Sequence, residues 1–148
     1  MPRCYLYTIA EGSALDSSSN NFTLFSLVEQ VQVNQFPVTL PFEIHSYWKF
    51  APDEINVDFQ LRIVLVSSTG EEVSSDPAPL RSSTPRFRVR ATGIHLRRPG
   101  SYELRIEWRE SENEHWTRDN VFWPLEVSSS SERAPDQAEL PDQVAPHC

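Results

Sequence analysis

Between Arg81 and Arg98 the chain places six arginines, Arg81, Arg86, Arg88, Arg90, Arg97 and Arg98, with no acidic residue among them. A guanidinium presents a planar fork of donors that matches carboxylates and phosphates, so such a cluster is a candidate surface for an anion or an acidic partner. The spacing sharpens this reading. Arg86, Arg88 and Arg90 alternate with Phe87, Val89 and Ala91. In an extended strand that alternation sends the guanidiniums to one side and the apolar residues to the other. Arg97 and Arg98 follow at the end of the same segment. The competing reading is a solvated sheet face whose charges discourage aggregation.

A second candidate is Trp116, a large aromatic in the polar stretch "NEHWTRDN". Loops at the ends of a β-sandwich often bind, and Trp is a favoured anchor at protein interfaces. The alternative is a ring that folds back onto the body, as large aromatics tend to do.

Catalysis finds little support. The sequence has no G-x-S-x-G, P-loop, G-x-G-x-x-G or H-E-x-x-H pattern. Glu71-Glu72 and the acids from Glu110 to Glu114 read as solvated turn charge. His45, His95, His115 and His147 show no metal-ligand spacing and no cysteine pair joins them, so neither a metal nor a cofactor is expected. The sequon Asn21-Phe22-Thr23 carries no weight without a secretion signal.

The whole chain sets the bounds. Its 148 residues allow one domain, or one domain and a tail. A net charge of -8 argues against generic nucleic-acid binding by the whole body. Twelve of the thirteen basic residues are arginine, first of all a compositional habit. Cys4 and Cys148 stand at the two extremes and do not form a disulfide framework, so reduced thiols in a cytoplasm are expected. The stretch "MPRCYLYTIAEGS" lacks the apolar core of a signal peptide, and no window approaches a membrane span.

The elements that must position these residues are strands. "CYLYTIA" reads as the first, followed by a polar loop "EGSALDSSSNN". "FTLFSLVEQVQV", Phe22 to Val33, is apolar on both faces, as expected of a strand covered on both sides or set in a subunit contact. After the connector "NQFPVTLP", the stretch "FEIHSYWKF" puts Phe42, Ile44, Trp48 and Phe50 on one face and Glu43, His45, Tyr47 and Lys49 on the other. In "VDFQLRIVLVSS", Phe59, Leu61, Ile63 and Leu65 share a face, while Val64 and Val66 suggest that the opposite face is covered in part. Gly70 suits a hairpin turn. "SSDPAPLRSSTP" reads as an irregular crossing.

The inward set of the arginine strand is odd-numbered up to Ala91 and even-numbered from Ile94, so the chain is expected to bend at Gly93. Tyr102, just after Pro99-Gly100, then fits a tyrosine corner between two sheets. "SYELRIEW" sends Tyr102, Leu104, Ile106 and Trp108 inward. "VFWPLEV" closes the set with Val121, Trp123, Leu125 and Val127 on one face. From Ser128 the chain is serine- and proline-rich and acidic, and is expected to be disordered.

Several of these pieces resemble one family. "NNFTLFSLVEQVQVNQFPVTLP" is similar to a pattern in which a strand "K-x-N-L-I-G-V-F" leads into a connector "F-P-A-T-L-P". "RRPGSYELRI" resembles the family's "PGxYxF" segment, and "WPLEV" its closing "PLxV" strand. The family glycine in the second strand is replaced by Ser26. The family is an uncharacterised bacterial one of small immunoglobulin-like β-sandwich proteins, a domain of unknown function. The resemblance implies that fold and assigns no activity.

The expectation is therefore an all-β, immunoglobulin-like antiparallel β-sandwich of seven to eight strands over residues 1–127, with a disordered acidic tail over 128–148. Its expected work is non-catalytic: a cytoplasmic module that binds another protein, or a second copy of itself, through Arg86, Arg88, Arg90, Arg97, Arg98 and Trp116. An anion or nucleic-acid binder using the same arginine row ranks second, and no membrane partner is expected.

Overall fold

The computed structural model describes residues 2–130; the remainder of the expected tail lies outside the described residues. Among the described residues there are ten strands: β1 (Arg3–Leu15), β2 (Phe22–Leu27), β3 (Gln30–Val33), β4 (Val38–Lys49), β5 (Asp58–Ser67), β6 (Glu72–Ser74), β7 (Ala78–Arg81), β8 (Arg86–Leu96), β9 (Gly100–Arg109) and β10 (Thr117–Ser129). One sheet has the order β2-β1-β4-β8, and the other β3-β10-β9-β5-β6 with β7 also on β5. The protein is a two-sheet β-sandwich.

Alternation builds its core. Ile44, Trp48 and Leu96 from the first sheet meet Phe59, Leu61, Leu104, Ile106 and Leu125 from the second, all buried. Each such side chain contributes roughly 1.5–3 kcal/mol by leaving water. The expected inward faces of β4, β5, β9 and β10 are those observed. Trp48 is fully enclosed, and its indole N–H donates to Ser46 Oγ at 2.9 Å.

Several boundaries differ from expectation. β1 continues through Glu11–Leu15, where a loop was expected, because that stretch pairs with β2. Phe22 to Val33 is two strands rather than one covered strand. β2 pairs antiparallel with β1 in the first sheet, whereas β3 pairs parallel with β10 in the second. Ser26 takes the left-handed conformation that favours glycine, with φ 50°, just before the switch. Val28 N–H then bonds to Ile9 O and Glu126 N–H to Glu29 O, so the crossing residues are tied to both sheets. The stretch read as an irregular crossing contains β7, which lies along Asp58–Leu61 and seats Pro79 on an outlying strand where a missing N–H is tolerated.

The bend at Gly93 is present. Gly93 has φ 92°, and opposite it β4 carries an extra residue: Leu40 pairs with Ile94 and Glu43 with Thr92, so two residues of β4 face one of β8. The chain then passes from β8 to the other sheet through Arg97–Pro99. Tyr102 closes that corner, its hydroxyl donating to Arg98 O at 2.6 Å.

Replacing Tyr102 with Phe removes this bond and leaves the ring in place. The expected loss is about 1 kcal/mol, read as a lower urea midpoint at unchanged slope.

Candidate functional site

Arg86, Arg88 and Arg90 are exposed and point outward, as their spacing predicts, while Phe87, Val89 and Ala91 are half-buried against the core. The three arginines have different surroundings. Arg86 stands opposite Lys49, which stands opposite Arg3 on the next strand. Among the described residues none of these three cations has a carboxylate within ion-pair distance. Arg88 is engaged by the β1–β2 hairpin: its guanidinium donates to Asn20 Oδ1 at 2.8 Å and lies 5.3 Å from the centre of the Phe22 ring. Phe22 in turn lies 5.1 Å from His45 and 6.1 Å from Tyr47. The hairpin therefore folds back over the outer face of the sheet. His45, expected on a solvated face, is buried beneath it. A cavity of about 260 Å³ remains beside this arm, lined by Tyr5, Asn20, Tyr47, Arg86, Phe87 and Arg88.

Arg90 lies 3.6 Å from Glu43. Glu43 also accepts from Ser13 Oγ at 2.5 Å and sits 2.9 Å from His45 Nε2. The Ser13 hydrogen bond first, then His45 and Arg90, hold its carboxyl below the ordinary value of 4.5.

Arg97 and Arg98 do not extend this face. They sit at the β8–β9 corner and turn to Glu71 in the β5–β6 turn, Arg97 at 3.9 Å and Arg98 in direct hydrogen bond. Arg98 also donates to Thr69 Oγ1 at 3.1 Å. The expected arginine surface is thus two clusters, and in the second Arg97 and Arg98 share the one carboxylate of Glu71.

Trp116 is half-buried and held by two guanidiniums, Arg62 at 4.3 Å and Arg109 at 4.4 Å from its ring centre, a contact that acts as a clamp on the ring. Stacking of this kind holds the ring against the outer face of the second sheet. The Arg62 side of the clamp depends on Glu107, whose side chain is only 5% exposed. Arg62 Nε donates to it at 2.7 Å from β5, and Arg118 Nε at 2.8 Å from β10. Arg118 continues to Glu72 at 2.8 Å. Val64, on this same outer face, is completely buried. Sequence reading missed the clamp because its parts come from β5, β9 and the loop before β10. The visible signal was an acid, Glu107, on the outward face of a strand beside Arg105 and Arg109.

A larger cavity of about 420 Å³ opens between the two sheets along β8. Leu61, Ile63, Val73, Val89, Ala91 and Ile94 give it apolar walls, and Ser74, Ser75, Asp76 and His95 stand among its lining residues. His95 Nδ1 lies 3.2 Å from Thr39 Oγ1. Among the described residues no group of three or more His, Cys, Asp or Glu is placed to hold a metal ion, and no helix is long and apolar enough to cross a membrane. Cys4 is free and buried; burial, then the charge of Asp119, pushes its thiol up to about 12. Phe25 and Leu27 on β2 are exposed, so the apolar residues of that strand are only partly covered.

No family model matches the chain, and no curated protein matches its sequence.

Two outcomes follow from this geometry. Glu107→Ala leaves Arg62 and Arg118 without their shared, nearly buried partner, and is expected to cost about 2 kcal/mol. Tryptophan emission should shift in the still-folded variant as the Trp116 clamp loosens. Glu43 has a lowered pKa in the fold, so its contribution is fully present above the unfolded value and is lost as pH falls through the folded one. Glu43→Gln should therefore be less stable than the parent at neutral pH, and the gap should close on acidification in denaturation curves taken across pH.

Proposed function

We propose that the chain is a non-catalytic protein-interaction module of immunoglobulin-like topology that works in the cytoplasm. The topology supports the first part. β1, β4 and β8 form one sheet and β5, β9 and β10 the other; after β2 the chain leaves the first sheet and β3 joins β10, and Tyr102 closes the β8–β9 corner onto Arg98 O. The resemblance to an uncharacterised bacterial family of such sandwiches points the same way. The free, buried Cys4 suits a reducing compartment.

The binding reading is carried by one observation. Arg86, Arg88 and Arg90 project from β8, a strand that has a neighbour on only one side among the described residues. Guanidiniums on an accessible strand suit an acidic partner, through charge-assisted bonds to carboxylates. Trp116 contributes less than its type suggests, because two guanidiniums already lie over its ring.

A second reading has its own support. The small cavity beside Arg86 and Arg88 is lined by Tyr5 and Tyr47, and Arg3 and Lys49 continue the cationic row. Aromatic rings beside unpaired cations also suit a phosphate-bearing ligand, single-stranded nucleic acid included.

The test is a full-length Arg86→Ser, Arg88→Ser, Arg90→Ser variant, used beside the parent as bait in lysate. The expected result is a stoichiometric protein held by the parent and lost by a variant that keeps its far-ultraviolet spectrum and melting temperature. Equal retention by both baits overturns the arginine face as the binding surface. Nucleic acid recovered in its place, with log affinity falling linearly with log salt, supports the second reading.

A further inference from the structure

We infer that β8 is an acceptor edge for an extended segment of a partner protein, one that alternates acidic and apolar residues. The inference rests on the protein-binding reading above and specifies how the partner is held. β8 runs from Arg86 to Leu96 and pairs only with β4 among the described residues, so its far edge offers unpaired backbone groups. Thr84 Oγ1 donates to Arg86 O at 2.6 Å and covers only the beginning of that edge. Alongside it lies the 420 Å³ apolar cavity between the sheets. Val89, Ala91 and Ile94 line it from β8, and Leu61, Ile63 and Val73 from the opposite sheet.

A strand added beside β8 would share its pleat, so its side chains would alternate between the cavity and the outer face. Every second residue would enter the space between the sheets and must be apolar. The others would lie beside Arg86, Arg88 and Arg90, where acidic residues pair across the ladder and basic ones are repelled. Arg86 has the strongest call on an acid, because Lys49 and Arg3 reinforce it and no carboxylate within ion-pair distance offsets it among the described residues. Charge complementarity therefore selects the occupant. A second copy joined β8 to β8 would set two arginine rows side by side. Residues 131–148 are acidic but carry Glu132, Asp136, Glu139 and Asp142 at intervals of four, three and three, interrupted by Pro135, Pro141 and Pro146. That pattern does not alternate.

The experiment uses the full chain and fluorescein-labelled synthetic peptides of ten residues. One alternates Glu and Val. A second has the same composition with its five Glu and five Val in separate blocks. A third alternates Lys and Val. Anisotropy should show the Glu/Val peptide binding at least about tenfold tighter than the block peptide. The Arg86→Ser, Arg88→Ser, Arg90→Ser variant should weaken it about tenfold, the effect of three modest ion pairs together. The Lys/Val peptide should not bind. Hydrogen exchange on the parent should slow at β8 amides between Phe87 and Leu96 when the Glu/Val peptide is added.

Equal binding of the two acidic peptides, with no slowing at β8, overturns strand addition and leaves the arginine face standing as a simple charged surface. Slowing confined to β3, β6 or β7 overturns the choice of edge. A Glu/Val peptide that binds a chain ending at Ser130 and not the full chain assigns the groove to residues 131–148. A concentration-dependent dimer whose β8 amides are slowed without peptide assigns it to a second copy. Either result overturns a partner segment as the natural occupant, as does failure of the peptide to bind both forms of the chain.

Discussion

Pairing between β4 and β8 sets where each charge on the first sheet points. A strand offers its side chains to two faces in strict turn, and a slip of one residue exchanges the faces. The chain makes such an exchange deliberately at Gly93, where β4 carries one residue more than β8. Before that point the arginines face out and Phe87, Val89 and Ala91 face in; after it Ile94 and Leu96 are buried in the core. Without the extra residue, Ile94 and Leu96 would face water and the corner closed by Tyr102 could not form. The arginine row follows from the regular pairing before that point, and the burial of Ile94 and Leu96 that leads into the crossing follows from the local irregularity.

The arginines of this acidic chain do two kinds of work. Most are spent within the molecule. Arg62 and Arg118 hold the nearly buried Glu107, Arg105 bonds to Glu103, and Arg97 and Arg98 meet Glu71. These contacts make the outer face of the second sheet a cross-braced polar layer over Val64. Among the described residues Arg3, Lys49 and Arg86 form a short row with no carboxylate within ion-pair distance. A net charge of -8 thus coexists with a small cationic field at one end of one sheet, and sequence totals alone do not reveal it.

Period-2 patterns were readable wherever one face is wet and the other dry. That covers β4, β5, β8, β9 and β10, and with the change of parity at Gly93 and the tyrosine after Pro-Gly it was enough to specify two sheets. Phe22 to Val33 was not readable, because its apolar residues serve two different sheets and the switch depends on bonds from Val28 to Ile9 and from Glu126 to Glu29. Alternation placed His45 outward correctly but could not show that Phe22 covers it. For Trp116, the two guanidiniums that clamp it sit 54 and 7 residues away in sequence. The groove was invisible for a simpler reason: it is the space beside a strand that has no second neighbour among the described residues, and no residue encodes a missing one.

The switch of β3 into the second sheet has a mechanical meaning. Gln30–Val33 lies parallel to Glu126–Ser129. Tension applied between Glu29 and Ser130 would pull the two segments in opposite senses along their common axis. The hydrogen bonds joining them would then be loaded together in shear, where an antiparallel hairpin pulled at its open end parts one rung at a time. This short parallel pairing at one margin of the second sheet is therefore oriented to resist stretching, and it ties Gln30–Val33 to Glu126–Ser129.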